Sequence, residues 1–206
     1  ASLIALILTT ALLAAMVTPG TSTRIYVEPT PVLGVFPNAT DPTFTVDVKV
    51  DANNLYGWEF TLDFNPWILE VVNVTRGAFL GTAGLTAWEN GTMAPVINNP
   101  AGYAAVGDIL LNLSGAGASG LAGVLATIEF RVVGWGVCIL DLKDTGLYTI
   151  VSGIPKPMDH AVQDGYFDNR LATSPPFAFF TCPPVGAVNV PVTCDASASH
   201  DNADGG

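Results

Sequence analysis

The stretch from Thr43 to Phe64 constrains the fold most, because apolar and polar residues alternate along it in two successive runs. A period of two places one set of side chains against a core and the other set in water, whereas a helix would scatter the same residues around its axis. The apolar set of the first run is Phe44, Val46, Val48 and Val50, and that of the second is Tyr56, Trp58, Phe60, Leu62 and Phe64. The stretch is therefore predicted to form two β-strands.

The link between the two runs, Asp51–Asn54, is polar and suits a turn with left-handed backbone geometry. This predicts that the runs are adjacent strands of one antiparallel sheet with one face in water. Asn65-Pro66 is expected to end the second strand, since proline has no ladder donor.

Further strands with similar patterns make the chain all-β. In the run from Gly123 to Val132, Ala126, Ile128, Phe130 and Val132 are expected to face inward. Asp144–Met158 and the glycine-rich Gly115–Gly120 are predicted to be loops, and Met93–Ile97 a short strand at most. The other predicted strands are Arg24–Pro29, Gly107–Ser114, Val137–Leu142 and Asp164–Phe167.

The order of these motifs resembles the cohesin family. The passage from Leu55 to Leu62, the Asn65-Pro66 step and the run Leu69–Val74 are similar to a cohesin passage, as are Gly77–Leu80, the strand ending at Val132, and the closing Asp164–Phe167. The resemblance implies a jelly-roll β-sandwich over residues 24–168. It also implies a protein-binding role towards dockerin-type modules.

The apolar, uncharged run Ala1–Val17 dominates the start of the chain. As a helix it would span roughly 26 Å, slightly less than the apolar core of a bilayer. Residues 1–23 are expected to be a secretion signal that lacks its first residues, with an uncleaved anchor or a filament-packing helix as alternatives. This is the only segment expected to contact a membrane.

The C-terminal part resembles the opening of a polycystic kidney disease (PKD) repeat, an immunoglobulin-like domain. The resemblance covers residues 177–206, after a polar, proline-containing linker at 169–176. Cys182 and Cys194 lie in neighbouring strand-like runs, which suggests a disulfide between them. Cys138 is instead expected to be a small core residue.

Composition and sequons indicate an exported protein. The net charge of −11 argues against a nucleic-acid partner, because nucleic-acid binding rewards basic patches. Asn-x-Ser/Thr sequons make four asparagines candidate glycosylation sites on an extracellular or cell-surface chain: Asn38, Asn73, Asn90 and Asn112.

The chain shows no motif for catalysis. A serine or cysteine nucleophile needs a histidine base, and the two histidines, His160 and His200, accompany no nucleophile motif. A calcium loop counted back from Gly205 has His200 where an acid is required. We therefore expect no enzymatic activity, cofactor or metal.

Non-catalytic binding is the predicted function. The partner is expected to be a dockerin-like or surface protein, with polysaccharide as the second choice, and Trp88 and Trp135 are candidate ligand contacts if they are exposed. Two alternatives stay open at this point. One is a filament subunit packed through residues 1–17, and the other is an accessory module of a longer glycoside hydrolase.

Overall fold

The computed structural model describes residues 22–112 and 115–170, and this part of the chain is almost entirely β-structure. Two single-turn 3-10 helices, Leu80–Thr82 and Asn99–Ala101, interrupt the strands. The strands are β1 (Arg24–Glu28), β2 (Val32–Leu33), β3 (Thr43–Leu55), β4 (Gly57–Asp63), β5 (Leu69–Arg76), β6 (Val96–Asn98), β7 (Tyr103–Ile109), β8 (Ala118–Val132), β9 (Val137–Val151), β10 (Ile154–Pro157), β11 (Ala161–Gln163) and β12 (Gly165–Asp168).

The strands form two sheets that enclose one core. The five-stranded sheet has the order β11-β1-β3-β8-β5, and the seven-stranded sheet has the order β2-β12-β9-β4-β7-β6, with β10 paired to β9. Strand pairing is antiparallel except for β1 with β11 and β2 with β12. The prediction of an all-β sandwich is confirmed.

The predicted pairing of β3 with β4 is wrong. β3 pairs with β1 and β8 in one sheet, while β4 pairs with β7 and β9 in the other, so the two alternating runs belong to opposite sheets of the sandwich. The chain crosses between sheets at Tyr56. Its N–H donates to the Tyr148 carbonyl oxygen at 2.8 Å, and its own carbonyl accepts from the Leu110 N–H at 2.8 Å.

The predicted turn at Asp51–Asn54 is also wrong, because β3 continues through it to Leu55. The left-handed backbone geometry expected in this link is confirmed at Asn54, where φ is 59°. Asp51 is 8% exposed, and its carboxylate accepts hydrogen bonds from the Ala122 N–H at 2.6 Å and from Arg24 Nε at 2.5 Å. Burial alone would raise the pKa of Asp51, but these hydrogen bonds outweigh it and hold the pKa below its usual value. Tertiary contacts thus extend the strand through residues that locally favour a turn.

The core has the composition that alternation predicts. Trp58 and Phe60 are each 2% exposed and their rings stack at 5.5 Å, so both project to the inside of β4. Phe130 and Ile128 are fully buried on β8. Complete burial of such a side chain stabilises the fold by about 1.5–3 kcal/mol.

Three predicted boundaries differ from the structure. The predicted loop Asp144–Met158 is mostly strand, because β9 runs on to Val151 and β10 follows it. A bulge at Asp144, with φ of 47°, shifts the phase of the strand and hides its alternation in the sequence. β7 spans Tyr103–Ile109 and not the predicted Gly107–Ser114, and the last three residues of the predicted glycine loop belong to β8.

Several predicted segments lie outside the described residues. These are the apolar run 1–17, the PKD-like part 177–206 with Cys182 and Cys194, and most of the linker. Asn169, where that linker was predicted to begin, is fully buried and bonds to Gly134 O and Gly136 N at 2.9 and 2.7 Å. Within residues 22–112 and 115–170, no helix is long and apolar enough to cross a membrane.

Candidate docking face on the seven-stranded sheet

The outer face of the five-stranded sheet is covered by ion pairs between its own side chains. Arg24 pairs with Asp51 at 2.5 Å, Lys49 with Glu28 at 2.6 Å, and Arg131 with Glu70 at 3.7 Å. The two more exposed pairs contribute little stability, whereas the Arg24–Asp51 pair is partly buried through Asp51. The cations Arg24, Lys49 and Arg131 of this face are therefore all paired, while Asp47 shares Lys49 at 3.9 Å and Glu129 has no ion-pair partner among the described residues.

The outer face of the seven-stranded sheet contains a depression beside β4. Glu59 and Thr61 point outward on β4, and the strand register places Gly107 and Ala105 of β7 beside them. Because these β7 residues are small, a depression of about 360 Å³ opens next to β4. Its lining consists of Glu59, Phe60, Thr61, Met93, Ala94, Ala105, Val106, Gly107 and Asp144. We call this depression, together with the neighbouring outward residues Asp63, Asp141 and Lys143 of β4 and β9, the β4 face.

The β4 face carries an excess of negative charge. Lys143 Nζ bonds to Asp63 at 2.7 Å and to Asp141 at 3.1 Å, while Glu59 and Asp144 have no cationic partner among the described residues. Four carboxylates against one lysine leave a net charge of −3 on these positions. The hydrogen bond to Asp63, followed by that to Asp141, raises the pKa of Lys143.

Glu59 is held in a fixed position at the edge of the depression. Its Oε1 accepts a hydrogen bond from the Tyr148 hydroxyl at 2.6 Å, across the β4–β9 pair. This hydrogen bond to the carboxylate is the main reason that the pKa of Tyr148 is raised. The arrangement presents a carboxylate in a defined place on an otherwise shallow surface.

The two predicted tryptophan contacts lie at opposite ends of the sandwich. Trp88 is half-buried and packs its ring 6.3 Å from Trp58, near the start of β4. Trp135 is 52% exposed, lies 5.4 Å from Phe36, and belongs to the β8–β9 loop beside Ile68, beyond the end of β4. One ligand therefore does not contact both, and neither lines the depression on the β4 face.

Trp67 is the residue that sequence reasoning missed. It is 85% exposed and lies in a cleft of about 580 Å³ with Pro66, Leu69, Pro100 and Val133. The sequence places Trp67 in an apolar run, but its backbone N–H donates to Asn65 Oδ1 at 3.0 Å in the turn before β5. The Asn65-Pro66 turn signal was the clue that this ring is not part of a strand.

The sequon asparagines Asn38, Asn73, Asn90 and Asn112 are all exposed. Asn73 Nδ2 lies 3.4 Å from the hydroxyl of Thr75 in the same sequon. Their glycosylation remains a prediction.

His160 is half-buried rather than displayed on the surface. Its ring nitrogens lie 2.8 Å from Met158 O and 3.0 Å from Thr145 Oγ1. Across residues 22–112 and 115–170, no three His, Cys, Asp or Glu side chains come together as a metal site would require.

Solved structures similar to this chain are cohesin domains. A non-cellulosomal cohesin from the archaeon Archaeoglobus fulgidus is 19% identical, with 72% of this chain and 91% of that chain covered and a TM-score of 0.52. The sixth cohesin of scaffoldin B from Acetivibrio cellulolyticus, in complex with a Cel5 dockerin, is 18% identical, with 72% and 99% covered and a TM-score of 0.53.

A type I cohesin–dockerin complex from Clostridium thermocellum gives a TM-score of 0.55 at 15% identity, with 72% and 99% of the two chains covered. No protein-family model matches the chain, and no curated protein matches it. The sandwich therefore has the cohesin fold, as the sequence resemblance predicts.

Proposed function

We propose that this chain is a non-catalytic binding module that docks a dockerin-type protein and serves as a scaffold or adhesion element at the cell surface. The fold supports the proposal, since similar cohesin domains are described in complex with dockerins. Export is supported by the apolar run 1–17 and by the exposure of the four sequon asparagines.

The observation that carries the proposal is the contrast between the two outer faces. Both sheets have a depression, of about 430 Å³ beside β1 and about 360 Å³ beside β4. The charged residues that line the first, Arg24 and Glu28, are paired within their own sheet, whereas Glu59 and Asp144 at the second have no cationic partner among the described residues. A partner that fills the depression and supplies positive charge gains both contact area and electrostatic complementarity. The β4 face is the proposed docking surface.

The test uses the dockerin modules encoded in the source genome, each purified and titrated by isothermal titration calorimetry. At least one is expected to form a 1:1 complex at micromolar or tighter affinity. Thr61→Arg would place a bulky side chain at the depression and weaken that complex by about 100-fold, as expected for disruption of an interface centre.

Thr45→Arg is the matched control, since Thr45 is an exposed threonine on β3 of the other sheet. It should leave the affinity unchanged. Failure of every dockerin module to bind, or equal effects of the two arginine variants, would contradict the proposal.

A second candidate ligand is polysaccharide at the Trp67 cleft. An exposed indole ring can stack on a sugar, and Glu70 at the cleft offers a hydrogen-bond acceptor. Affinity electrophoresis in soluble xylan and glucan should then show retardation that Trp67→Ala abolishes. Equal mobility with and without polysaccharide would reject this candidate.

A further inference from the structure

We propose that the apolar segment Phe177–Phe180 of this same chain packs against the end of the sandwich that carries Trp67 and Trp135. The segment lies outside the described residues, and the inference is drawn from the surface that the described part of the chain offers to it. It does not rest on the docking proposal, because it concerns another surface and a contact within one chain.

Large apolar side chains are exposed side by side at this end of the sandwich. Trp67 is 85% exposed, Trp135 52% and Val133 45%. They share one surface, because the loop that contains Val133 and Trp135 packs on the turn before β5: the N–H groups of Val133 and Gly134 donate to the Ile68 carbonyl oxygen at 2.8 and 3.2 Å. Neighbouring exposed apolar side chains of this size mark an interaction site.

The surface includes a concave place for aromatic rings. The cleft of about 580 Å³ beside Trp67 is lined by Pro66, Leu69, Pro100 and Val133, with Glu70 and Asn99 as its polar members. The amide of Asn99 is already engaged, since its Oδ1 accepts from the Val71 N–H at 2.8 Å and its Nδ2 donates to the Val71 carbonyl oxygen at 2.9 Å. An apolar aromatic occupant therefore fits the cleft better than a strongly polar one.

The chain leaves the sandwich beside this surface. Asn169 is fully buried, its Nδ2 donates to Gly134 O at 2.9 Å, and its Oδ1 accepts from the Gly136 N–H at 2.7 Å. These bonds hold the two glycines that flank Trp135. The residues that follow Arg170 therefore start next to Trp135.

The length and composition of the following sequence favour Phe177–Phe180 as the occupant. The segment supplies three phenylalanines and begins seven residues after Arg170, so an extended connection reaches about 25 Å at most. No charged residue occurs between Arg170 and Asp195, so the segment brings no charge to an apolar surface. Because a short connection gives an effective concentration in the millimolar range, even a weak contact would be well populated.

A second copy of the chain is a less suitable occupant. Each copy carries a net charge of −11, and this charge makes two copies repel each other. The contact within one chain needs no such approach.

The first experiment is site-specific photo-cross-linking in the full chain, with p-benzoyl-L-phenylalanine in place of Trp135. Irradiation should link position 135 to a peptide that contains Phe177–Phe180, and the yield should not change when the protein is diluted. The matched control carries the same photoreactive residue in place of Leu121, which is 63% exposed near the other end of β8 and should not link to that peptide.

The second experiment measures oxidation of Trp67 and Trp135 by hydroxyl radicals, mapped by peptide mass spectrometry. The triple variant Phe177→Ser, Phe179→Ser, Phe180→Ser should raise both rates severalfold over the parent chain, because it uncovers the two indole rings. The control variant Val185→Ser, Val188→Ser, Val190→Ser removes three apolar side chains further along the chain and should leave both rates unchanged.

The cross-link decides the outcome if the phenylalanine variant fails to fold. Absence of a link from position 135 to the segment, or a link found only in covalent dimers, would overturn the inference. Equal oxidation rates in the parent chain and the phenylalanine variant would also overturn it, and would leave the Trp67 cleft open to a polysaccharide.

Discussion

Phe64 and Phe130 provide a quantitative test of how the two sheets pack. Phe130 lies on β8 of the five-stranded sheet and Phe64 directly follows β4 of the other sheet, and their rings meet edge to face at 5.4 Å. Phe130 is fully buried and also stacks on Phe44 at 5.4 Å, whereas Phe64 is 7% exposed. An aromatic pair of this geometry contributes about 0.5–1.5 kcal/mol beyond its buried area.

The perturbation is replacement of each ring by leucine, which keeps most of the apolar volume so that the double variant stays folded. Phe130→Leu loses two ring contacts and is expected to lower the free energy of unfolding by about 1–3 kcal/mol, and Phe64→Leu by about 1–2 kcal/mol. The double variant should lose about 0.5–1.5 kcal/mol less than the sum of the two, since each single variant already removes their shared contact.

The assay is urea unfolding followed by tryptophan fluorescence. The control is a second double-mutant cycle that combines Phe130→Leu with Leu147→Ala. Leu147 pairs with Trp58, about 20 Å along β4 from Phe64 at ~3.4 Å per residue, so those effects should add within about 0.5 kcal/mol. Additive effects in the Phe64 and Phe130 cycle would refute the packing of these two sheets described above.

Three further predictions concern single residues. Asp51→Asn should lower the free energy of unfolding by about 1–3 kcal/mol at pH 7, and this difference from the parent chain should shrink as the pH falls below about 4. The reason is that the folded-state pKa of Asp51 lies below its unfolded value, so the stability that its charge contributes is lost on protonation. Denaturant titrations at several pH values check this, and a difference that stays constant with pH would contradict it. Gly134→Ala should lower the free energy of unfolding by about 1–3 kcal/mol, because the added Cβ would lie 2.1 Å from Trp67 O. Gly115→Ala is the control, since the space around Gly115 is open, and it should leave the free energy of unfolding and the thermal midpoint almost unchanged. Cys138 is 2% exposed, and burial raises the pKa of its thiol, so iodoacetamide at pH 8 should label Cys138 only after the chain unfolds. Peptide mass mapping of the labelled native chain tests this, and rapid labelling of Cys138 in the native chain would refute its burial.

Alternation predicted which side of each strand is buried but not which strands are neighbours. The patterns of β3 and β4 are equally compatible with pairing in one sheet and with facing positions in two sheets, because a period of two defines only a face. The choice depends on the crossing at Tyr56, whose backbone bonds to Tyr148 and Leu110. These partners lie 92 and 54 residues away in the chain, so local sequence does not reveal them.

Half of the candidate docking face was accessible from the sequence. Glu59, Thr61 and Asp63 are the outward set of a strand that alternation predicts well. The other half was hidden, because β7 begins at Tyr103 and places Ala105 beside Thr61, while the sequence reading started that strand at Gly107. Small residues carry little periodic signal, so the depression that they create emerges only from the strand register.

The most direct test of the docking proposal is hydroxyl-radical footprinting of the chain, free and in complex with the dockerin module that binds it most tightly. Met93 lies on the β4 face and is 38% exposed, whereas Trp67 lies at the end of the sandwich and is 85% exposed. We predict that the complex slows oxidation of Met93 severalfold and leaves Trp67 unchanged. Unchanged oxidation of Met93 with protection of Trp67 would place the partner elsewhere and contradict the assignment of the β4 face.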